Sequence, residues 1–132
     1  MTMRKELAER AETGKKAEEL ALKYLIERGQ RLLARNWRSG HKEIDLIMES
    51  TDERYGMILH IVEVRSLTEP VRKMPFETVG NKKQRAVMAA ARSYIYQNNL
   101  NCDTQFDVVS VTFGTYGERL EYYPKAFTPT WR

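Results

Sequence analysis

Cysteine is all but missing from this chain. The 132 residues hold one, Cys102, so no internal disulfide can staple the fold, and a reducing compartment is expected. Long apolar runs are missing too. Nothing approaches the ~20 residues that a membrane span needs, and no membrane association is expected. Residues 1–6 lack the apolar stretch of a secretory signal and carry a glutamate, which transit peptides avoid. These absences together predict a cytoplasmic location. With only 7 glycines and 4 prolines, the composition excludes collagens and disordered tails. No repeat, linker, Walker loop, dinucleotide fingerprint, nucleophile elbow or zinc cluster occurs, and His41 and His60 are not at metal-ligand spacing.

What is present suffices for one core. Hydrophobic residues make up 42% and charged residues 30%, a single domain's worth of chain. The net charge of +4 is a weak pointer to a polyanionic partner, but its distribution says more. Arg28, Arg31, Arg35, Arg38 and Lys42 fall in one stretch without an acid. Arg72, Lys73, Lys82, Lys83, Arg85 and Arg92 form a second, opposed by Glu77 alone. Most mid-chain acids lie between them.

Residues 14–29 carry Ala17, Leu20, Ala21, Tyr24 and Leu25 at helical spacing, with Thr13 as the expected N-cap and Gly29 as the stop. Residues 4–12 are expected to be helical as well, so that residues 1–12 form an N-terminal extension to a single domain over 13–132. Strands are expected at 30–37, 43–48 and 57–65, the last almost continuously apolar and so buried on both faces. A polar stretch, 66–75, is expected to be mobile. A second helix at 81–98 has its stripe at Val87, Ala90, Ala91, Tyr94 and Ile95, with Asn81 and Gln84 set for a capping box. Strands at 106–113 and 119–123 complete an α/β fold, a small mixed sheet flanked by helices.

Acids inside apolar strands are the informative residues. Strict alternation puts Glu43 and Asp45 on one face of their strand and Ile44 and Leu46 on the other. Glu63 and Arg65 share a face of the next. If these two strands pair as a hairpin, the Asp45 and Glu63 carboxylates can converge. Burying them is costly unless a cation or good donors satisfy them. One solution is Mg²⁺, which takes hard oxygen ligands from one or two carboxylates together with phosphate oxygens; the basic stretches would then hold a phosphodiester backbone. The other is a set of structural ion pairs with Arg38, Arg65 or another basic residue. Spacing alone leaves both open. Trp37 can serve the core or stack on a base, and Asp107 can support the sheet or a site.

A series of motifs narrows the choice. Gly14…Ala17-Glu18…Ala21…Tyr24-Leu25…Gly29, Arg35-Asn36-Trp37-Arg38, Glu43-Ile44-Asp45-Leu46-Ile47 and Val62-Glu63-Val64 resemble the YraN-like family of bacterial proteins. Val79…Lys83…Ala90-Ala91…Tyr94 and Phe106-Asp107-Val108-Val109 extend the resemblance over about residues 13–127. That family is similar to the restriction-endonuclease-like superfamily, near the archaeal Holliday-junction resolvases. The resemblance implies a PD-(D/E)XK arrangement, with Glu18 as the helical acid, Asp45 as the strand aspartate and Glu63 as the following acid. These three would hold Mg²⁺ or Mn²⁺. Glu43 matches the acid beside the aspartate.

Three positions depart from the pattern: Arg65 replaces the motif lysine, Lys42 the glycine before Glu-Ile-Asp, and Gln105 the arginine before Phe-Asp. Arginine neutralises a phosphate but stays protonated and cannot act as a base; Lys42 or Lys83 would have to supply an ammonium. The expectation is therefore a metal-dependent endonuclease-like protein acting on DNA, including branched or recombination intermediates. Asp45, Glu63, Arg65 and Lys83 would be its catalytic residues, and Arg35, Arg38, Lys42, Arg72, Lys73, Lys82 and Lys83 its contacts to nucleic acid. The alternatives are a catalytically silent nucleic-acid-binding module on the same fold, and a protein-interaction domain with solvated basic segments. A homodimer is compatible with the residues but does not follow from them.

Overall fold

Two kinds of apolar period, helical over stretches at the start and middle of the chain and strand-like elsewhere, meet in a five-stranded sheet with one helix on each face. The computed structural model describes residues 2–70 and 79–129. In chain order the elements are α1 (Met3–Glu27), β1 (Arg31–Ser39), β2 (Lys42–Asp52), β3 (Gly56–Thr68), α2 (Asn81–Gln97), β4 (Asp103–Gly114) and β5 (Gly117–Phe127). The strands lie in the order β1-β2-β3-β4-β5. All neighbours are antiparallel except β3 and β4, which run parallel. Parallel neighbours cannot be joined by a tight turn, and α2 lies in their crossover. Among the described residues no helix is long and apolar enough to cross a membrane.

Each face of the sheet has its own core. On one, Val87, Ala90, Ala91 and Tyr94 of α2 pack on Ile44, Ile47, Leu59, Ile61 and Phe106. On the other, Ala17, Ala21 and Leu25 of α1 pack on Leu46, Met48, Val62, Val109 and Val111. Central β3 feeds both, and Leu59, Ile61 and Val62 are fully buried, as its unbroken apolar run predicts. Alanines at the α1 contact let the helix lie close to the strands. Trp37 joins the α2 face, its ring edge-on to Tyr94 at 5.3 Å.

Several expectations need correction. Helix α1 is one piece from Met3: Thr2 caps it by accepting from the Lys5 N–H at 3.2 Å. Thr13 lies inside the helix, its hydroxyl donating to the Glu9 carbonyl at 2.8 Å. Nothing between Arg4 and Glu12 breaks a helix, so Thr13 has no end to cap. Gly29 does act as the stop. Its φ of 95° turns the chain so that Gln30 N–H reaches back to the Leu25 carbonyl at 3.0 Å. In α2 the cap is Gly80, so Asn81 is already helical, and Gln84 Nε2 donates to the Val79 carbonyl at 2.9 Å instead of closing a box. The strands overrun their expected ends because the hairpin ladder continues through polar residues to Asp52 opposite Gly56. Of the stretch expected to be mobile, residues 66–68 belong to β3, and 71–75 lie outside the described residues.

Strict alternation also fails in β2. Ile44 lies in the α2 core with Ile47, whereas Leu46 lies in the α1 core with Met48. A regular strand would put Ile44 and Leu46 on one face. The break falls at Asp45, where β1 keeps its register (Arg35 pairs with Leu46 and Trp37 with Ile44) and leaves Asn36 across from Asp45; the register of β1 itself shifts further back, between Leu32 and Ala34. Asn36 has a φ of 47°, left-handed backbone that asparagine tolerates better than most residues.

Candidate active site

The break in β2 creates the site. The β2–β3 ladder runs from Asp52 opposite Gly56 to Leu46 opposite Val62 and goes no further. One step on, that register would set Asp45 against Glu63. Like charges directly across a ladder repel, and here the carboxylate takes over a ladder bond: Asp45 Oδ2 accepts from the Val64 N–H at 2.8 Å. Glu63 follows Leu59 and Ile61 onto the α2 face, where it is 1% exposed. Among the described residues no N–H or O–H donor satisfies either of its buried oxygens, which lie against the Asp45 carboxyl. The Lys83 ammonium, in the first turn of α2, stands 3.6 Å from Glu63 Oε2, within ion-pair range but beyond a hydrogen bond.

The electrostatics follow from this geometry. Burial, and next the Asp45 charge, push the Glu63 carboxyl up to about 8, against the pull of Lys83 and Arg65. Burial also raises Asp45; the Val64 N–H and Lys83 oppose the rise, and the charges of Glu18 and Glu43 add to it. Each acid disfavours the charge of the other, so their titration belongs to the pair.

Glu18 comes from the other side of the sheet, on the flank of α1 between the buried Ala17 and Ala21. Its Oε1 accepts from Arg35 at 3.2 Å and from the Asn36 side-chain amide at 3.0 Å. The same Arg35 nitrogen donates to Glu19 at 2.7 Å. Asp45 feels the Glu18 charge, yet among the described residues no three His, Cys, Asp or Glu side chains are gathered closely enough to hold a metal ion. Asp45 and Glu63 are brought together; Glu18 stands at the rim.

Comparison with known proteins places this arrangement. Residues 17–111, which run from the second half of α1 through β1, β2, β3 and α2 to most of β4, match the model of a family described as Uncharacterised protein family UPF0102. The chain belongs to this family. A UPF0102 protein of Anaeromyxobacter dehalogenans is 44% identical over 115 residues, covering 86% of this chain and 82% of the relative. Another, from Porphyromonas gingivalis, is 32% identical over 123 residues, covering 92% and 87%. Among solved structures, Pyrococcus furiosus SfsA in complex with Ca²⁺ aligns at a TM-score of 0.33 and 13% identity. That alignment covers 87% of this chain and 63% of SfsA, less than two thirds of its length. So loose a likeness carries no argument about the site.

The matched segment contains Glu18, Asp45, Glu63, Arg65 and Lys83 together with Arg35, Arg38, Lys42 and Lys82. Arg65 is half-buried on β3, two residues beyond Glu63. Lys82 is exposed beside Lys83 at the start of α2, and Lys42 is exposed at the start of β2. Arg38 is exposed and pairs with Glu43 at 3.5 Å. Arg72 and Lys73 lie outside the described residues.

A second polar cluster lies on the α1 face, and the family match covers its Ser50, His60, Gln105 and Asp107 but stops short of Tyr122 and Lys125. Asp107 is fully buried and its carboxylate accepts from His60 Nδ1 at 2.8 Å, Tyr122 at 2.6 Å, Gln105 at 2.9 Å and the Lys125 N–H at 3.0 Å. His60 Nε2 meets Ser50 Oγ at 2.7 Å. Burial alone would raise Asp107, but these four donors outweigh it and hold the carboxyl below its ordinary value. Asp107 therefore supports the sheet, as a satisfied buried carboxylate. Asn36 is the site residue that strand patterning passes over. An asparagine inside a strand, between Arg35 and Trp37 and level with an aspartate on the next strand, is the local signal that the ladder breaks.

Proposed function

We propose that this chain is a metal-dependent endonuclease-like protein that binds DNA, including branched or recombination intermediates, and hydrolyses phosphodiester bonds. Glu63 carries the reading: two carboxylate oxygens buried without a donor among the described residues, facing a second carboxylate, form a site with an unmet demand for positive charge. The donor set suits Mg²⁺ or Mn²⁺, which take hard oxygen ligands. Asp45 and Glu63 would hold the ion, with Glu18 as a third acid. The pairing of a strand aspartate with a glutamate on the next strand resembles the PD-(D/E)XK arrangement of restriction-endonuclease-like proteins. Once bound, such an ion lowers the pKa of a coordinated water and stabilises charge on the phosphate under attack.

The chain's own residues then divide the remaining work. Lys83, at the positive end of α2, holds an ammonium beside Glu63 and can neutralise the scissile phosphate. Arg65 adds fixed charge but cannot take up a proton. Arg35, Arg38, Lys42 and Lys82, with Arg72 and Lys73, would contact the phosphodiester backbone and set the strand in place. Arginine at position 65 favours one second reading, a catalytically silent binding module on this fold. Lys83 at 3.6 Å from Glu63 weighs against it, because an ammonium is already near the acid pair. Incubation of the protein with branched and single-stranded DNA and Mn²⁺ separates the two. Nicking that Asp45→Asn abolishes supports the enzyme; binding without nicking supports the module.

A further inference from the structure

We propose that Arg35 couples DNA binding to completion of the metal site by exchanging its ion pair with Glu18 for one with a backbone phosphate. The inference rests on the metal-dependent reading of Asp45 and Glu63. Three acids are available to such a site, and two of them converge. The third, Glu18, is held back by identifiable partners: Arg35 and Asn36 both donate to its Oε1. Its side chain is only 14% exposed and Asp45 feels its charge, so these two donors are what stands between Glu18 and the acid pair it faces from α1.

Arg35 is suited to the exchange. Its side chain is 34% exposed, so a phosphate can approach it from solvent. Its guanidinium has five donors in a planar fork that matches phosphate oxygens. It is anchored more closely to Glu19, at 2.7 Å, than to Glu18, at 3.2 Å, so it can release Glu18 without losing its own position. Both carboxylates keep it fully charged, the Glu19 hydrogen bond most strongly. Without DNA, Arg35 competes with the cation for Glu18. When a phosphate occupies Arg35, only the neutral Asn36 amide still holds Glu18, a bond that a divalent cation beside Asp45 and Glu63 can outcompete. Linkage makes the effect reciprocal, so the ion tightens DNA binding by the factor with which DNA tightens ion binding. Full ion occupancy would then be reserved for the DNA-bound protein.

The test is Mn²⁺ binding to the DNA-free protein, followed by the loss of the free-ion electron paramagnetic resonance signal. It is run on the parent, Arg35→Gln, Glu18→Gln, the double variant and Asp45→Asn. Arg35→Gln should bind Mn²⁺ about tenfold more tightly than the parent. Removing a positive charge attracts cations in general, and the Glu18→Gln background corrects for this. There the Arg35 substitution should change the affinity by no more than about twofold, as expected for a screened charge. An equal gain in both backgrounds, or no gain in either, overturns the exchange while leaving Asp45-dependent Mn²⁺ binding intact. Absence of Asp45-dependent binding in the parent overturns the metal-site reading and the exchange with it.

Discussion

Replacing Glu63 by Gln removes a carboxyl that, among the described residues, is buried with no donor to satisfy it, while keeping its shape. In the folded chain this carboxyl sits at about 8, against 4.5 for an unperturbed glutamate. A folded value above the unfolded one means that the fold favours the protonated form. Stability from this group is complete below about pH 4.5 and is lost as the pH rises towards 8. At 1.36 kcal/mol per pH unit, that interval amounts to about 5 kcal/mol. Because glutamine mimics the protonated form, Glu63→Gln should match the parent near pH 5 and exceed it at pH 8. For a domain of this size the gap in Tm should open by roughly 10–15 °C between the two conditions. Thermal melts at both pH values without divalent ions are the assay. Adding Mn²⁺ at pH 8 should close the gap, since an ion that binds only the folded parent stabilises it by mass action. The competing account makes Glu63 the partner of Lys83 in a structural ion pair. On that account the variant loses stability at pH 8, by up to about 3–5 kcal/mol for a buried pair. That outcome, without a response to Mn²⁺, would refute the reasoning.

Other outcomes follow from the same geometry. Lys83→Ala should reduce metal-dependent nicking roughly 10²-fold, and adding Arg65→Lys should restore part of it; nicking at the parental rate in Lys83→Ala removes that lysine from the chemistry. Asp107→Asn disturbs a carboxylate with four donors and should cost about 2–3 kcal/mol in denaturant unfolding. Because the Asp107 carboxyl is held below its ordinary value, its contribution is present above the usual carboxylate range and is lost as the pH falls through its folded value. The penalty should therefore shrink in acid, and one that is unchanged there would contradict the assignment. DNA binding should weaken steeply with salt, each phosphate contact adding about 0.9 to the log–log slope; a flat response would favour the protein-interaction reading.

Which parts of this molecule were legible in the chain depends on how local the controlling interaction is. The run from Met57 to Val64 marks a strand buried on both faces, because burial is written directly in side-chain type. Gly29 marks a helix stop because its backbone requirement is its own. Thr13 misled because a capping side chain caps only where a helix starts, and this one has already started at Met3 behind Thr2 and meets no breaker before Thr13. Alternation misassigned Ile44 against Leu46, since the period of two assumes an unbroken ladder and Asp45 breaks it. Within the site, the Asp45–Glu63 pairing is a hairpin property and could be read from two adjacent strands. The approach of Lys83 depends on the parallel crossover that brings α2 over β3, and the hold of Arg35 and Asn36 on Glu18 depends on packing α1 against β1. Neither contact has a signature in local sequence.

The central claim is that Asp45 and Glu63 form a site for a divalent cation, and calorimetric titration with Mn²⁺ tests it most directly. The parent should show one binding isotherm that Asp45→Asn abolishes, with the variant at least as stable as the parent when no metal is present. Identical heats for the two proteins, or an Asp45→Asn variant that is clearly destabilised and whose parent takes up no metal, would contradict it.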